Sequence, residues 1–253
     1  MKKLLFSIFA LLIINNVAFS QRYTSKDFIS VGIEHNIMLN VAYETILNKK
    51  LNNDNKSEII PFLKDSFLEN KNLTDSEKEA GLIFLNNLGK EMPNIDQNFY
   101  SFSNSSQISK NALPYYDKLY SIVMSEGLSV EDFNISIQKL ESEIYNDKNI
   151  DNKQLLIFYS GTNVAKYTNL YWEENFIKWE QLNSTNNTLS RKGRGRRVVG
   201  ADVGGAIGGA VTCWMMNAVP GAGQVGYGGA IACGAVGASI GEAVNQLMDW
   251  AGW

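Results

Sequence analysis

Residues 198–211, VVGADVGGAIGGAV, decide the fold of this chain because they combine helical spacing with an unusual content of glycine. Gly200, Gly204 and Gly208 recur every fourth residue, and a parallel series runs through Ala201, Gly205, Gly209 and Cys213. Residues four apart share one face of a helix, so small side chains there let a second helix approach closely. Asp202 is the one charge between Val198 and Ala218, a stretch that as a helix would be about 31 Å long, roughly a bilayer's apolar thickness.

A second small-residue series follows a break at Pro220 and Gly221, which predicts an antiparallel helical hairpin over residues 198–253. The positions expected to pack helix against helix, or to face a membrane, are Gly200, Gly204, Gly205, Gly208, Gly209, Gly229, Gly234, Gly237 and Gly241. Glycine costs nearly 1 kcal/mol relative to Ala in an aqueous helix. In a bilayer, by contrast, the backbone must satisfy its hydrogen bonds internally, which favours a helix. We therefore expect a membrane-active hairpin, and a soluble hairpin packed against the rest of the protein is the alternative.

Cys213 and Cys233 are the only cysteines, and each lies in its own small-residue series. They are nearly equidistant from the expected turn, so an antiparallel hairpin would bring them level. In an oxidising compartment they are predicted to form a disulfide. The alternative is a pair of buried free thiols that act as small packing residues.

The tail resembles a known group of membrane-active peptides. Residues 204–210, GGAIGGA, and 228–237, GGAIACGAVG, are similar to the mature part of class II, double-glycine-type bacteriocins, and to glycine-zipper domains of bacterial envelope proteins. The resemblance covers residues 198–245, under a fifth of the chain. It implies a small cationic or amphipathic helical segment that permeabilises target membranes.

A basic run precedes the tail and is predicted to be a flexible linker over residues 191–197. It consists of Arg191, Lys192, Arg194, Arg196 and Arg197, separated by two glycines. Such a run can bind anionic lipid headgroups or be cut by a trypsin-like protease. Nucleic acid is the least expected partner, because the N-terminus predicts export.

Residues 1–20 have the order of a secretory signal peptide. Lys2 and Lys3 precede the apolar run 4–14, and Ala18 and Ser20 supply small residues before a cut predicted between Ser20 and Gln21. The apolar run is shorter than the roughly 20 residues that span a bilayer. We therefore expect a secreted or cell-envelope protein.

Residues 21–190 are predicted to form an acidic all-α domain of five or six helices. This segment carries 16 Lys and Arg against 23 Asp and Glu, a net charge of −7. Apolar residues fall at helical spacing and no stretch alternates as several strands would. The expected helices cover 25–48, 57–68, 75–88, 113–124, 129–145 and 152–182, with Ser57, Thr74 and Asp151 as N-caps and Gly127 as a break.

Two features of this domain suggest a ligand, and each has a more ordinary explanation. His35 beside Glu34 could act as a base, but a packed structural histidine is the more frequent case. The aromatic residues Phe158, Tyr159, Tyr167, Tyr171, Trp172, Phe176 and Trp179 could stack on a ligand, but at helical spacing they are more typical of a core face. One His and two Cys exclude a His-rich or four-Cys zinc site. We expect no enzyme activity, metal or cofactor.

Two functions remain open from the sequence. The first is a secreted bacteriocin-like protein whose helical domain keeps the tail soluble or delivers it, with membrane lipids as partners and self-association through the hairpin. The second is an envelope protein anchored by the hairpin. A receptor or an immunity protein would be a further partner, which the sequence does not identify.

Overall fold

The structure, a computed structural model, describes residues 22–49, 107–181 and 191–217, together with positions 61, 64, 65, 68, 69, 75 and 78. Its three continuous stretches hold a short 3-10 helix, Ser25–Phe28, five α-helices and no strand. The helices are α1 (Ile29–Lys49), α2 (Leu113–Val123), α3 (Val130–Asn146), α4 (Asn152–Gln181) and α5 (Arg191–Asn217). The fold is therefore all-α, as the spacing of the apolar residues predicts.

The helix boundaries follow from local chemistry. Ser129 accepts a hydrogen bond from the backbone N–H of Asp132 at 3.0 Å, and Asp151 accepts one from the N–H of Gln154 at 2.8 Å. These caps satisfy N–H groups that the first turn of a helix leaves without a partner. Between α2 and α3, Gly127 adopts φ of 91°, which an L side chain rarely tolerates. The predicted cap at Asp151 and the predicted break at Gly127 are both confirmed.

Helix α4 is the centre of the described fold. At 30 residues it is about 45 Å long, and it contacts the 3-10 helix and every other α-helix. Of the seven aromatic residues predicted to form a core face, six are buried and Tyr167 is half-buried. Their edge-to-face contacts include Phe158 with Tyr116, at 5.4 Å between ring centroids, and Trp172 with Tyr171, at 5.3 Å. The core interpretation of this set is thus confirmed.

Helix α5 begins seven residues earlier than the predicted start of the Gly-rich hairpin. The basic run of residues 191–197 forms its first two turns and is not the flexible linker expected from the sequence. Positive charge is unfavourable at a helix N-terminus. Arg196 offsets this cost, because its guanidinium donates to Asn169 Oδ1 at 2.7 Å and to Leu128 O at 2.9 Å.

The Gly-rich part of α5 lies in the same hydrophobic core as the preceding helices. Residues 198–211 are buried except Gly205, which is half-buried. A helix that is apolar on all sides is expected to be covered on all sides. In the part of the chain that the structure describes, no helix is both long and apolar enough to cross a bilayer.

Several sequence predictions lie outside the described residues. They are the signal peptide and its cut before Gln21, the turn at Pro220, and the second series with Gly229, Cys233, Gly234, Gly237 and Gly241. Cys213 belongs to α5 by its backbone, and its side chain is not described. The hairpin and its disulfide therefore stay predictions.

Candidate functional site

Asp202, the single charge of the apolar part of α5, lies at the centre of a buried polar cluster. Its side chain is fully buried. Trp172 Nε1 donates to its Oδ2 at 2.8 Å, and the Thr168 hydroxyl donates to the same oxygen. Thr168 and Trp172 are four residues apart, so both project from one face of α4. A buried carboxylate is costly unless it is hydrogen-bonded, and these two donors meet that requirement from a single helix.

The other Asp202 oxygen faces α1. Its Oδ1 lies 3.7 Å from Nε2 of His35, which is also fully buried, and neither atom has a hydrogen-bond partner among the described residues. The cluster thus joins α1, α4 and α5 through three side chains of different chemistry around one carboxylate.

The hydrogen bonds of Asn36 fix the tautomer of His35. Asn36 Nδ2 donates to the backbone oxygen of Tyr167 at 3.0 Å, so its Oδ1 is the atom that faces His35 Nδ1 at 3.2 Å. His35 Nδ1 must then carry a hydrogen, and a neutral imidazole would present the lone pair of Nε2 to the carboxylate.

A second buried network ties the start of the described chain to the bundle. The Glu141 carboxylate accepts from Ser25 Oγ at 2.7 Å, from Thr162 Oγ1 at 2.5 Å and from Lys166 Nζ at 2.9 Å. Lys166 also donates to Ser25 Oγ at 3.0 Å. A serine beside a lysine can form a nucleophilic pair. Here the Glu141 carboxylate binds both Ser25 and Lys166, so the arrangement indicates a structural role.

Two glycines outside the predicted series, Gly32 and Gly161, lie where helices approach closely. A Cβ at Gly161 of α4 would lie 2.8 Å from Ile207 Cγ1 of α5, and a Cβ at Gly32 of α1 would lie 2.8 Å from the backbone oxygen of Asn163. Among the predicted positions, a Cβ at Gly200 would meet Met124 Sδ at 3.2 Å. Among the three helical glycines whose surroundings the structure describes, Gly32 and Gly161 therefore make closer contacts than Gly200.

The remaining predicted site residues are placed as follows. Gly204, Gly208 and Gly209 are buried in α5 and Gly205 is half-buried. Of the basic run, Arg196 is described in full, whereas the side chains of Arg191, Lys192, Arg194 and Arg197 are not described. Among the described residues, no group of three His, Cys, Asp or Glu is placed to hold a metal ion.

The sequence analysis missed Thr168, Asn169 and Gly161, and it gave Asp202 no partner. One signal was present: a lone carboxylate inside a long apolar run must find donors when it is buried. A solitary glycine inside a helical pattern, such as Gly32 or Gly161, is a second signal, because it often marks close packing. Neither signal identifies the partner, which lies far away in the chain.

Comparison of the chain with family profiles, with curated proteins and with solved structures finds no match.

Proposed function

We propose that this protein is a secreted, membrane-active protein of bacteriocin-like type, and that its closed form holds the first helix of the predicted Gly-rich hairpin, α5, against the helical domain. The supporting observation is the burial of residues 198–211, with Asp202 bonded to α4, in the core of that domain. In this form the small-residue surface that would pack against another helix in a bilayer is already occupied.

The Asp202 cluster would hold the hairpin until it is released. Moving α5 out of the bundle breaks the hydrogen bonds of Asp202 with Trp172 and Thr168 and separates it from His35. A carboxylate at the centre of a bilayer costs about 2.5–3.5 kcal/mol on insertion scales. The lost hydrogen bonds and the cost of a carboxylate in the bilayer both favour the closed form, so membrane insertion requires a compensating gain from the rest of the hairpin.

The partners of the released form would be membrane lipids and further copies of the hairpin. Anionic headgroups would attract the basic run, at about 1 kcal/mol for each Lys or Arg near the surface. Release into the medium or the envelope follows from the predicted signal peptide. The alternative is an envelope protein that stays anchored by the hairpin and displays the acidic domain.

A reversible lock between α4 and α5 tests the proposal. Because a Cβ at residue 161 would lie 2.8 Å from a carbon bonded to the Cβ of residue 207, cysteines at both positions suit a disulfide. The double variant Gly161→Cys and Ile207→Cys is made in a chain in which Cys213 and Cys233 are replaced by Ser. Dye leakage from anionic vesicles is measured before and after reduction, with each single-cysteine variant and the cysteine-free chain as controls.

If the closed bundle retains α5, the reduced protein should cause dye leakage from the vesicles and the oxidised protein should cause none. Equal leakage from both forms would show that release of α5 is not required. Vesicle association without leakage from the reduced protein would favour the anchoring alternative. A reduced protein that neither binds vesicles nor makes them leak overturns both functions.

A further inference from the structure

A cleft of about 510 Å³ opens beside the N-terminal end of α5, where it meets α4 and the turn between α2 and α3. Its volume lies within the range of about 300–1,000 Å³ that is usual for small-molecule sites. The turn contributes Gly127, Leu128 and Ser129, and α5 contributes Arg196 and Val199. The face of α4 at spacings i, i+3, i+4, i+7 and i+8 supplies Asn169, Trp172, Glu173, Phe176 and Ile177.

Arg196 brings a positive charge into this cleft, and among the described residues it has no ion-pair partner. Its guanidinium is half-buried and lies over the Phe133 ring, 4.8 Å from the centroid. Its hydrogen bonds go to neutral oxygens of Asn169 and Leu128, and no carboxylate of the described residues lies within 4.0 Å of it. Burial lowers the pKa of Arg196, although the nearby Glu173 opposes that shift. A guanidinium nevertheless stays charged and keeps unused N–H donors for an anion.

Asn169 supplies a second donor. Its Oδ1 accepts from Arg196, which fixes the orientation of the amide and makes Nδ2 the remaining donor. Asn169 is 6% exposed, and its Nδ2 has no hydrogen-bond partner. A buried donor of this kind is costly until an acceptor reaches it. Arg196 thus brings charged donors to the cleft, and the buried Asn169 Nδ2 is a second donor, without an acceptor, in a residue of the same wall.

The remaining walls select the rest of the ligand. Trp172, Phe176 and Val199 are buried apolar residues, and Ile177 at the rim is 49% exposed. This surface suits an alkyl chain or an apolar ring. Glu173 lies on the same wall and repels negative charge, so it disfavours a doubly charged phosphate more than a singly charged carboxylate.

We propose that this cleft binds an amphiphilic monocarboxylate, with its head on Arg196 and Asn169 Nδ2 and its apolar part along Trp172, Phe176 and Ile177. The site is independent of membrane activity, because it needs only the closed bundle. It also links α4 to α5, so an occupied cleft would hold α5 in place.

The site is tested by calorimetric titration of the protein without its predicted signal peptide, residues 1–20. The titrant is decanoate at neutral pH, below its critical micelle concentration. Decanol and decyltrimethylammonium serve as neutral and cationic ligands of equal chain length. Arg196→Gln is expected to weaken decanoate binding by about tenfold or more, because a charge-assisted contact is lost. Lys178→Gln removes an exposed positive charge from α4 outside the cleft and should leave binding unchanged.

Asn169→Asp provides a second variant that keeps the side-chain shape. It places a carboxylate on the guanidinium and removes the Nδ2 donor, so decanoate binding should be lost while thermal unfolding stays close to that of the parent. Absence of decanoate binding by the folded parent overturns the site. Equal binding of decanol, or unchanged binding by both folded variants, overturns the assignment of the head group to Arg196 and Asn169.

Discussion

His35 on α1 and Asp202 on α5 face each other at 3.7 Å, from Nε2 to Oδ1, and both side chains are fully buried. Asn36 fixes the hydrogen of His35 on Nδ1, so Nε2 is the ring nitrogen that faces the carboxylate. The pair connects the first described α-helix to the last across α4. This relationship makes α5 part of the bundle and not a separate appendage.

Removal of the Asp202 carboxylate is expected to destabilise the bundle strongly. Asp202→Ala leaves Trp172 Nε1 and the Thr168 hydroxyl without an acceptor, so the free energy of unfolding should fall by about 3 kcal/mol. Asp202→Asn keeps an acceptor for both donors and offers its amide hydrogen to His35 Nε2, so the loss should be about 1 kcal/mol or less. Urea unfolding measures both values, and equal losses would show that the charge of Asp202, and not its role as hydrogen-bond acceptor, carries the stabilisation.

Two glycine-to-alanine changes in helix interiors should have opposite effects. A Cβ at Gly32 would lie 2.8 Å from the backbone oxygen of Asn163, which cannot yield, so Gly32→Ala should cost about 2 kcal/mol. At Gly200 the nearest atom is the flexible Met124 Sδ at 3.2 Å. Gly200→Ala should therefore be neutral or stabilise by about 0.5 kcal/mol through helix propensity. Thermal unfolding compares them, and a larger loss at Gly200 would show that the predicted glycine series controls packing.

Two tyrosine-to-phenylalanine changes should separate a bonded hydroxyl from an unbonded one. Tyr171 OH donates to Asn40 Oδ1 and accepts from Trp179 Nε1, each at 3.1 Å, so Tyr171→Phe should cost about 1–2 kcal/mol. Tyr116 is buried against Phe158 and its hydroxyl has no partner. Tyr116→Phe should leave stability unchanged or raise it by about 1 kcal/mol. Chemical denaturation of both variants measures the free energy of unfolding. An equal loss for Tyr116→Phe and Tyr171→Phe would contradict the expected difference between the two hydroxyls.

Asp147 should contribute to the pH dependence of stability on the acid side. A hydrogen bond from the backbone N–H of Asn149 lowers the pKa of this carboxyl most, burial opposes that shift, and the hydrogen bond from the Tyr115 hydroxyl lowers the pKa further. A carboxyl with a lowered pKa in the folded protein stabilises it above the unfolded pKa, and this contribution disappears as pH falls through the folded pKa. Asp147→Asn should therefore flatten the fall in stability below about pH 4. Denaturation midpoints at a series of pH values measure the slope, and an unchanged acid slope would exclude this role.

Local features were predicted well because their causes are local. The Asp151 cap and the Gly127 break depend on neighbouring residues and on the repeat of apolar positions, and the structure confirms both. The aromatic face of α4 could also be predicted, since residues at helical spacing on a long helix are usually in the core. The start of α5 was predicted poorly, because Arg196 is held in the helix by Asn169 and Leu128, which lie in other elements.

The candidate site depended on information that the sequence does not carry. Asp202 was visible as a lone charge, yet its donors Thr168 and Trp172 and its neighbour His35 come from two other helices. The cleft also depends on tertiary packing, because Arg196 and Asn169 come into contact only when α5 packs on α4. Distant pairs of this kind follow from packing, which one sequence without its tertiary contacts does not specify.

By itself, the sequence determined that the described chain is helical and where most of its helices begin and end, because caps, breaks and apolar spacing act within a few residues. The tertiary structure alone decided what the Gly-rich helix faces. Its small residues suit a neighbouring helix in water or in a bilayer equally well, since both offer close packing. Inside the bundle, Trp172 and Thr168 donate to Asp202 Oδ2 and His35 faces its Oδ1, so the one charge of the Gly-rich helix has donors there that a bilayer would not supply.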